Sequence, residues 1–218
     1  MAGSVEPYDT HTGQRICLVI RDWQLASLNG IPSIFESLGF RTKYQDLPNG
    51  LADDWLSTEL MKYANETGSC FVLYFAGCCL CNYQLTINGA PFDFHSVIEP
   101  FMTSTQWKGK PKIFFFQVSR TKPLLPTDAG PIGPGYSETF PASWTDFAVI
   151  RAGEHLTEAV RSALQDKAVA RQDFRFDVVQ RIHENYSQQL EHGVSPDFFA
   201  STGALLKPLY LMSTSIYR

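Results

Sequence analysis

Short, continuous apolar runs alternate along the chain with longer stretches in which apolar residues recur every three or four positions. The runs are Ile16 to Ile20, Cys70 to Ala76, Lys112 to Val118 and Phe147 to Ile150. Continuous apolarity over so short a span suits a strand covered by helices on both faces, because neither face meets water. Thr42 to Gln45 and Leu209 to Met212 are weaker runs that predict two further strands. Between them, Leu156, Ala159, Val160, Ala163 and Leu164 mark one buried helical face. Val178, Ile182, Tyr186 and Leu190 mark another, with Asp173 near its start, and Leu51, Trp55, Leu60 and Ala64 a third, led by Asn49. A short helix from Ile31 to Leu38 is ended by Gly39, and His95 falls in a helix after Pro91. This order of strands and helices predicts an α/β fold: a mainly parallel central sheet with helices on both faces.

One segment interrupts the pattern. Lys122 to Pro141 holds five prolines and three glycines and reads as an irregular connector. Connectors of this length are usually functional or disordered. It divides a larger N-terminal part from a smaller C-terminal one within what otherwise reads as one domain over residues 1–218.

Composition narrows the function classes. Of 218 residues, 44% are hydrophobic and 18% charged, a globular balance. A formal net charge of −4 argues against a nucleic-acid partner, which usually calls for a basic face. The longest apolar stretch, Cys70 to Cys81, contains Gly77 and falls short of the roughly 18 residues a membrane span needs. Met1 to Pro7 has neither a basic nor an apolar region, so no signal peptide is expected. Five cysteines, three of them in Cys78-Cys79-Leu80-Cys81, suggest reduced thiols and a cytoplasmic setting rather than a disulfide framework. No second Cys/His pair at ligand spacing follows that cluster, and neither a metal nor another cofactor is expected.

Sites in open α/β sheets gather at the carboxyl ends of strands, here Phe75 to Cys79 and Phe116 to Arg120. The stretch Lys108-Gly-Lys-Pro-Lys-Ile-Phe-Phe-Phe-Gln-Val-Ser-Arg120 resembles the segment of the caspase family of cysteine proteases, G-K-P-K-x-F-F-x-Q-A-C-R-G, that carries the nucleophile. Tyr8 leading into Arg15 to Ile20, Leu38-Gly-Phe40 and Cys70-Phe-Val72 resemble other family segments, and the resemblance runs from about Tyr8 to Met212. It implies a caspase-like three-layer sandwich with a sheet of about six strands. The implied layout is a large-subunit-like part (8–121), a linker (122–141) and a small-subunit-like part (142–218). It also implies that Leu206, Lys207, Leu209, Tyr210 and Leu211 form the final strand, through which two protomers pair.

The departures from the family matter as much. Where its histidine should follow a strand in Ser-His-Gly, this chain has Gly77-Cys78-Cys79, and the nucleophilic cysteine falls on Ser119. A serine hydroxyl needs an adjacent base, which Cys78 does not provide. Losing one member of such a dyad costs on the order of 10⁴ to 10⁶ in rate. Gln117 stands where the family lines its aspartate pocket, and Arg151 is the one candidate remnant of that pocket's two arginines. No catalytic role is assigned to His11, His95, His155, His183 or His192. The resemblance implies cleavage after Asp128 in the connector by a caspase; an ordinary Pro-Thr-Asp turn is the other reading. The expectation is a non-catalytic homologue that binds active caspases of the same organism, as a heterodimer or after homodimerising, to activate or inhibit them. The alternatives are a residual hydrolase using Ser119 or Cys78, and a scaffold outside caspase control.

Overall fold

The computed structural model describes residues 5–21, 28, 30–48, 54–81, 84–87, 90–91, 93–120, 140–190 and 198–212. Strands β1 (Arg15–Arg21), β2 (Arg41–Asp46), β3 (Cys70–Cys81), β6 (Lys112–Arg120) and β7 (Phe147–Ala152) pair in parallel, and β8 (Phe199–Ser201) joins antiparallel to β7. The order across the sheet is β2-β1-β3-β6-β7-β8. A small antiparallel extension, β4 (Gln84–Ile87) and β5 (Ala90–Pro91), grows from the end of β3.

Alternate residues of each central strand feed two separate cores. Cys17, Val19, Tyr74, Ile113, Phe115 and Ile150 face α1 (Ile31–Ser37), α4 (Leu156–Gln165) and α5 (Val179–Gln188). Ile16, Leu18, Phe71, Leu73, Phe114, Phe116 and Val149 face α2 (Asp54–Ala64) and α3 (Phe94–Thr103). The continuous apolar runs are thus explained by two-sided burial. Helix α1 ends as expected: Gly39 takes φ 84, which suits glycine, while the Gly39 and Phe40 amides donate to Glu36 and Phe35. Leu51 and Asn49, read as the lead of α2, lie outside the described residues.

Two expectations about strands need correction. β8 and the β4–β5 extension carry no strong apolar pattern and are absent from the sequence reading. Conversely, Leu209 to Met212 forms no ladder. Its alternation is real, since Leu209 and Leu211 are buried, but its backbone is used otherwise. The Leu209 amide donates to the Asp173 carboxylate (3.2 Å), and its carbonyl accepts from Phe174 (2.8 Å). The Met212 amide donates to Ala170 (3.0 Å). Among the described residues the outermost strand at that end of the sheet is therefore β8, and Leu206 to Leu211 turns back to bond Tyr8, Arg15 and Phe174.

At the amino end of β6, the Lys112 ammonium is buried and donates to the carbonyls of Trp107 (2.9 Å) and Lys110 (2.8 Å). Burial pulls its pKa down to about 8. Between pH 8 and 10 the unfolded chain holds a proton here that the folded chain has released, so this residue makes stability rise with pH. The buried thiols of Cys17 and Cys70, pushed up by burial, act in the opposite sense. Comparing wild type with Lys112→Met isolates the lysine. Wild type should gain on the variant by up to about 1.4 kcal/mol per pH unit across that window in urea titrations. A separate test concerns the aromatic core. Phe71 stacks on Phe101 at 4.2 Å and meets Trp107 at 5.5 Å, so Phe71→Ala should cost about 3–5 kcal/mol in the same assay.

Candidate functional site

The carboxyl ends of β3, β6 and β7 bring most of the sequence-selected residues to one end of the sheet. On β6, Gln117 continues the face set by Ile113 and Phe115, toward α4, and Ser119 follows two residues on. Ser119 is 7% exposed, within the strand rather than beyond it. β3 shifts register between Ala76, opposite Gln117, and Cys78, opposite Val118. Gly77 is the extra residue, as expected of a bulge. Cys79, rather than Cys78, is consequently the backbone partner of Ser119.

Gln117 is 4% exposed and its amide oxygen is fully occupied. It accepts from the Thr157 amide (3.2 Å), the Thr157 hydroxyl and the Tyr74 hydroxyl (3.3 Å). The Tyr74 and Thr157 hydroxyls are themselves 2.9 Å apart. Thr157 lies in the first turn of α4, where backbone amides lack partners within the helix. His155, the residue before that helix, makes no side-chain capping bond. Gln117 therefore caps α4 from the neighbouring strand. Burial holds the Tyr74 phenol well above its ordinary range, so it stays a neutral hydroxyl.

The turn between β7 and α4 closes the same end. The Gly153 amide donates to the Tyr186 hydroxyl of α5 (2.9 Å), and a Cβ at Gly153 would come within 2.7 Å of that oxygen. The same hypothetical Cβ would lie 3.9 Å from the Val118 carbonyl, so this turn passes directly along β6. Arg151, the other pocket candidate, is opposite Phe116 and shares its face of the sheet. Its guanidinium sits over the rings of Phe94 (5.7 Å) and Phe199 (5.6 Å), toward α3. Gln117 faces α4. The two pocket candidates are thus on opposite faces of the sheet, and the structure does not bring them together.

Each described histidine has a contact of its own, and His155, at the start of α4, belongs to the same end of the sheet as Gln117. His95 stacks with Phe140 (5.3 Å) and Trp144 (5.4 Å), His183 with Phe198 (4.7 Å), and His155 lies 6.4 Å from the Tyr186 ring. His11 sits in the turn that Asp9 closes through its amide. Among the described residues no three His, Cys, Asp or Glu side chains gather as a metal site, and no helix is long and apolar enough to cross a membrane. Asp128, His192 and the side chain of Cys78 lie outside the described residues.

No family model matches this sequence, and no curated protein matches it. Solved structures do. Caspase-1 from Spodoptera frugiperda superposes with a TM-score of 0.68 at 13% identity, over 97% of this chain and 95% of that one. The structure of pro-sf-caspase-1 superposes at 0.70 and 14% identity, over 99% and 97%. The chain has the caspase-like fold. Identity this low carries the architecture and not the chemistry. Within that architecture, Thr157, Tyr74 and Tyr186 are the residues that sequence reasoning missed. Two signals were available: Tyr74 is a hydroxyl in a run buried on both sides, and His155 is a poor cap for the helix that follows it.

If Gln117 caps α4, then Gln117→Ala strands a buried amide and two hydroxyls. The expected loss is about 2–4 kcal/mol in chemical denaturation. A glutamine lining an open pocket would cost no more than about 0.5 kcal/mol.

Proposed function

We propose that this chain is a non-catalytic caspase-like protein that regulates active caspases of its own organism by direct binding. The observation that carries this reading is the spent Gln117. The side chain standing in the aspartate-pocket position is committed to holding α4, beside a serine in the nucleophile's place. A serine there needs a base, and among the described residues no hydrogen bond joins Ser119 to an imidazole.

What the fold leaves available is a sheet edge. Among the described residues β8 has a strand neighbour on one side only. Just beyond it, the Thr202 hydroxyl donates to the Arg175 carbonyl (3.1 Å), which places Phe176 beside the end of β8. Phe176 is 64% exposed and Leu206, four residues after Thr202, is 60% exposed. Large apolar side chains left in water at an open strand edge favour pairing with another sheet. In this reading the pairing surface is β8 with Phe176 and Leu206, shifted upstream from Leu206 to Leu211. The effect on the partner takes its sign from the conformation that the paired state prefers. Buried free thiols at Cys17 and Cys70 suit a cytoplasmic setting, and Asp128 offers a partner caspase a cleavage point in the connector.

The test is titration of the purified chain into active caspases of the same organism, with mass and peptidase rate both recorded. A heteromeric complex and a changed rate are expected. The double variant Phe176→Glu, Leu206→Glu should weaken binding at least about tenfold while the isolated chain keeps its fold. Unaltered mass and rate with every such caspase would reject the proposal.

A further inference from the structure

The two ends of the described chain supply no helix or strand over residues 5–14 and 202–212. They satisfy one another. The Tyr8 amide donates to Pro208 (2.9 Å), the Thr10 hydroxyl to the Tyr210 carbonyl (3.4 Å), and the Arg15 guanidinium to the Leu211 carbonyl (2.7 Å). At the centre, the Tyr8 hydroxyl donates to the Asp146 carboxylate (2.6 Å) and accepts from the Leu206 amide (3.0 Å). The Asp146 amide in turn donates to the Ala204 carbonyl (2.7 Å).

The N-terminal partner in this arrangement is narrow. Within residues 5–14 only Tyr8 and Thr10 are buried, and their neighbours are exposed. The C-terminal partner follows directly on β8, so whatever fixes residues 202–212 also fixes where the β8 edge ends. The Tyr8 phenol is held well above its ordinary range, by burial first and by Asp146 second, so it remains a donor at any pH the protein meets.

We infer that residues 5–14 act as a strap, pinned by the Tyr8–Asp146 contact, whose release loosens residues 202–212 and the β8 edge as one local unit, held then through their bonds to residues 170–175, while the rest of the sheet stays folded. Removing the phenol oxygen leaves the Leu206 amide without its acceptor and the Asp146 carboxylate with the Thr145 hydroxyl (3.0 Å) alone of its two hydroxyl donors, a loss concentrated at this place. Local units of this kind open below the global unfolding free energy. The strap stands independently of function; only its consequence for a partner rests on the pairing proposed above.

Hydrogen exchange with mass spectrometry on the isolated chain tests it, comparing wild type, Tyr8→Phe, Asp146→Gly and the double variant. Glycine at 146 removes the carboxylate while accommodating the φ of 63 found there. Each single variant should accelerate exchange over 202–212 by about tenfold, with β3 and β6 unchanged, and the double variant should add little more. Equal acceleration across β3, β6 and 202–212, or none anywhere, would overturn the strap. The partner titration is then repeated with Tyr8→Phe, where weaker binding is expected. If exchange accelerates locally but affinity holds, the strap stands and β8 is not the pairing edge.

Discussion

The carboxyl end of β6 depends on one need, an acceptor for the Thr157 amide at the start of α4. A helix start must find acceptors from outside itself. The His155 side chain supplies none, and the acceptor for Thr157 comes from Gln117, across a strand-to-helix gap and sealed by Tyr74 and Thr157. That contact draws α4 down onto the carboxyl end of β6. Gly153, bonded to Tyr186, keeps the connecting turn short and tight against the same strand. Once these are in place, the Gln117 side chain faces the interior.

Much of this was legible in the sequence, for definite reasons. Four strands were readable because two-sided burial leaves continuous runs such as Ile113 to Phe116, which few other contexts produce, while the exposed β2 left only a weak one. The stripes of α4 and α5 were readable because burial on one face imposes its period. β8 was not, because a three-residue edge strand of mixed burial has no pattern to leave. Leu209 and Leu211 misled for the opposite reason: two-residue alternation reports burial of alternate side chains, not ladder pairing, and here the backbone partners are helix starts and the N-terminal segment. The bulge at Gly77, which makes Cys79 the backbone partner of Ser119, was not readable because it changes register without changing composition. Arg151 lay at the right level of the sheet but on the wrong face, a distinction that depends on which residue of β6 it opposes.

The two ends of the sheet and its edge divide the work physically. The carboxyl end is sealed by neutral hydrogen bonds among buried side chains. The amino end is held by Lys112, Asp146 and Tyr8, and Phe176, in the helical turn before α5, and Leu206, after β8, are exposed.

The most direct measurement is the intact mass of the purified chain after exposure to excess aspartyl peptide chloromethyl ketone, under conditions that fully label an active caspase. The unmodified mass is expected, because Gln117 is spent on α4 and, among the described residues, no imidazole is hydrogen-bonded to Ser119. An adduct mapped to Ser119 or Cys78 would contradict the account.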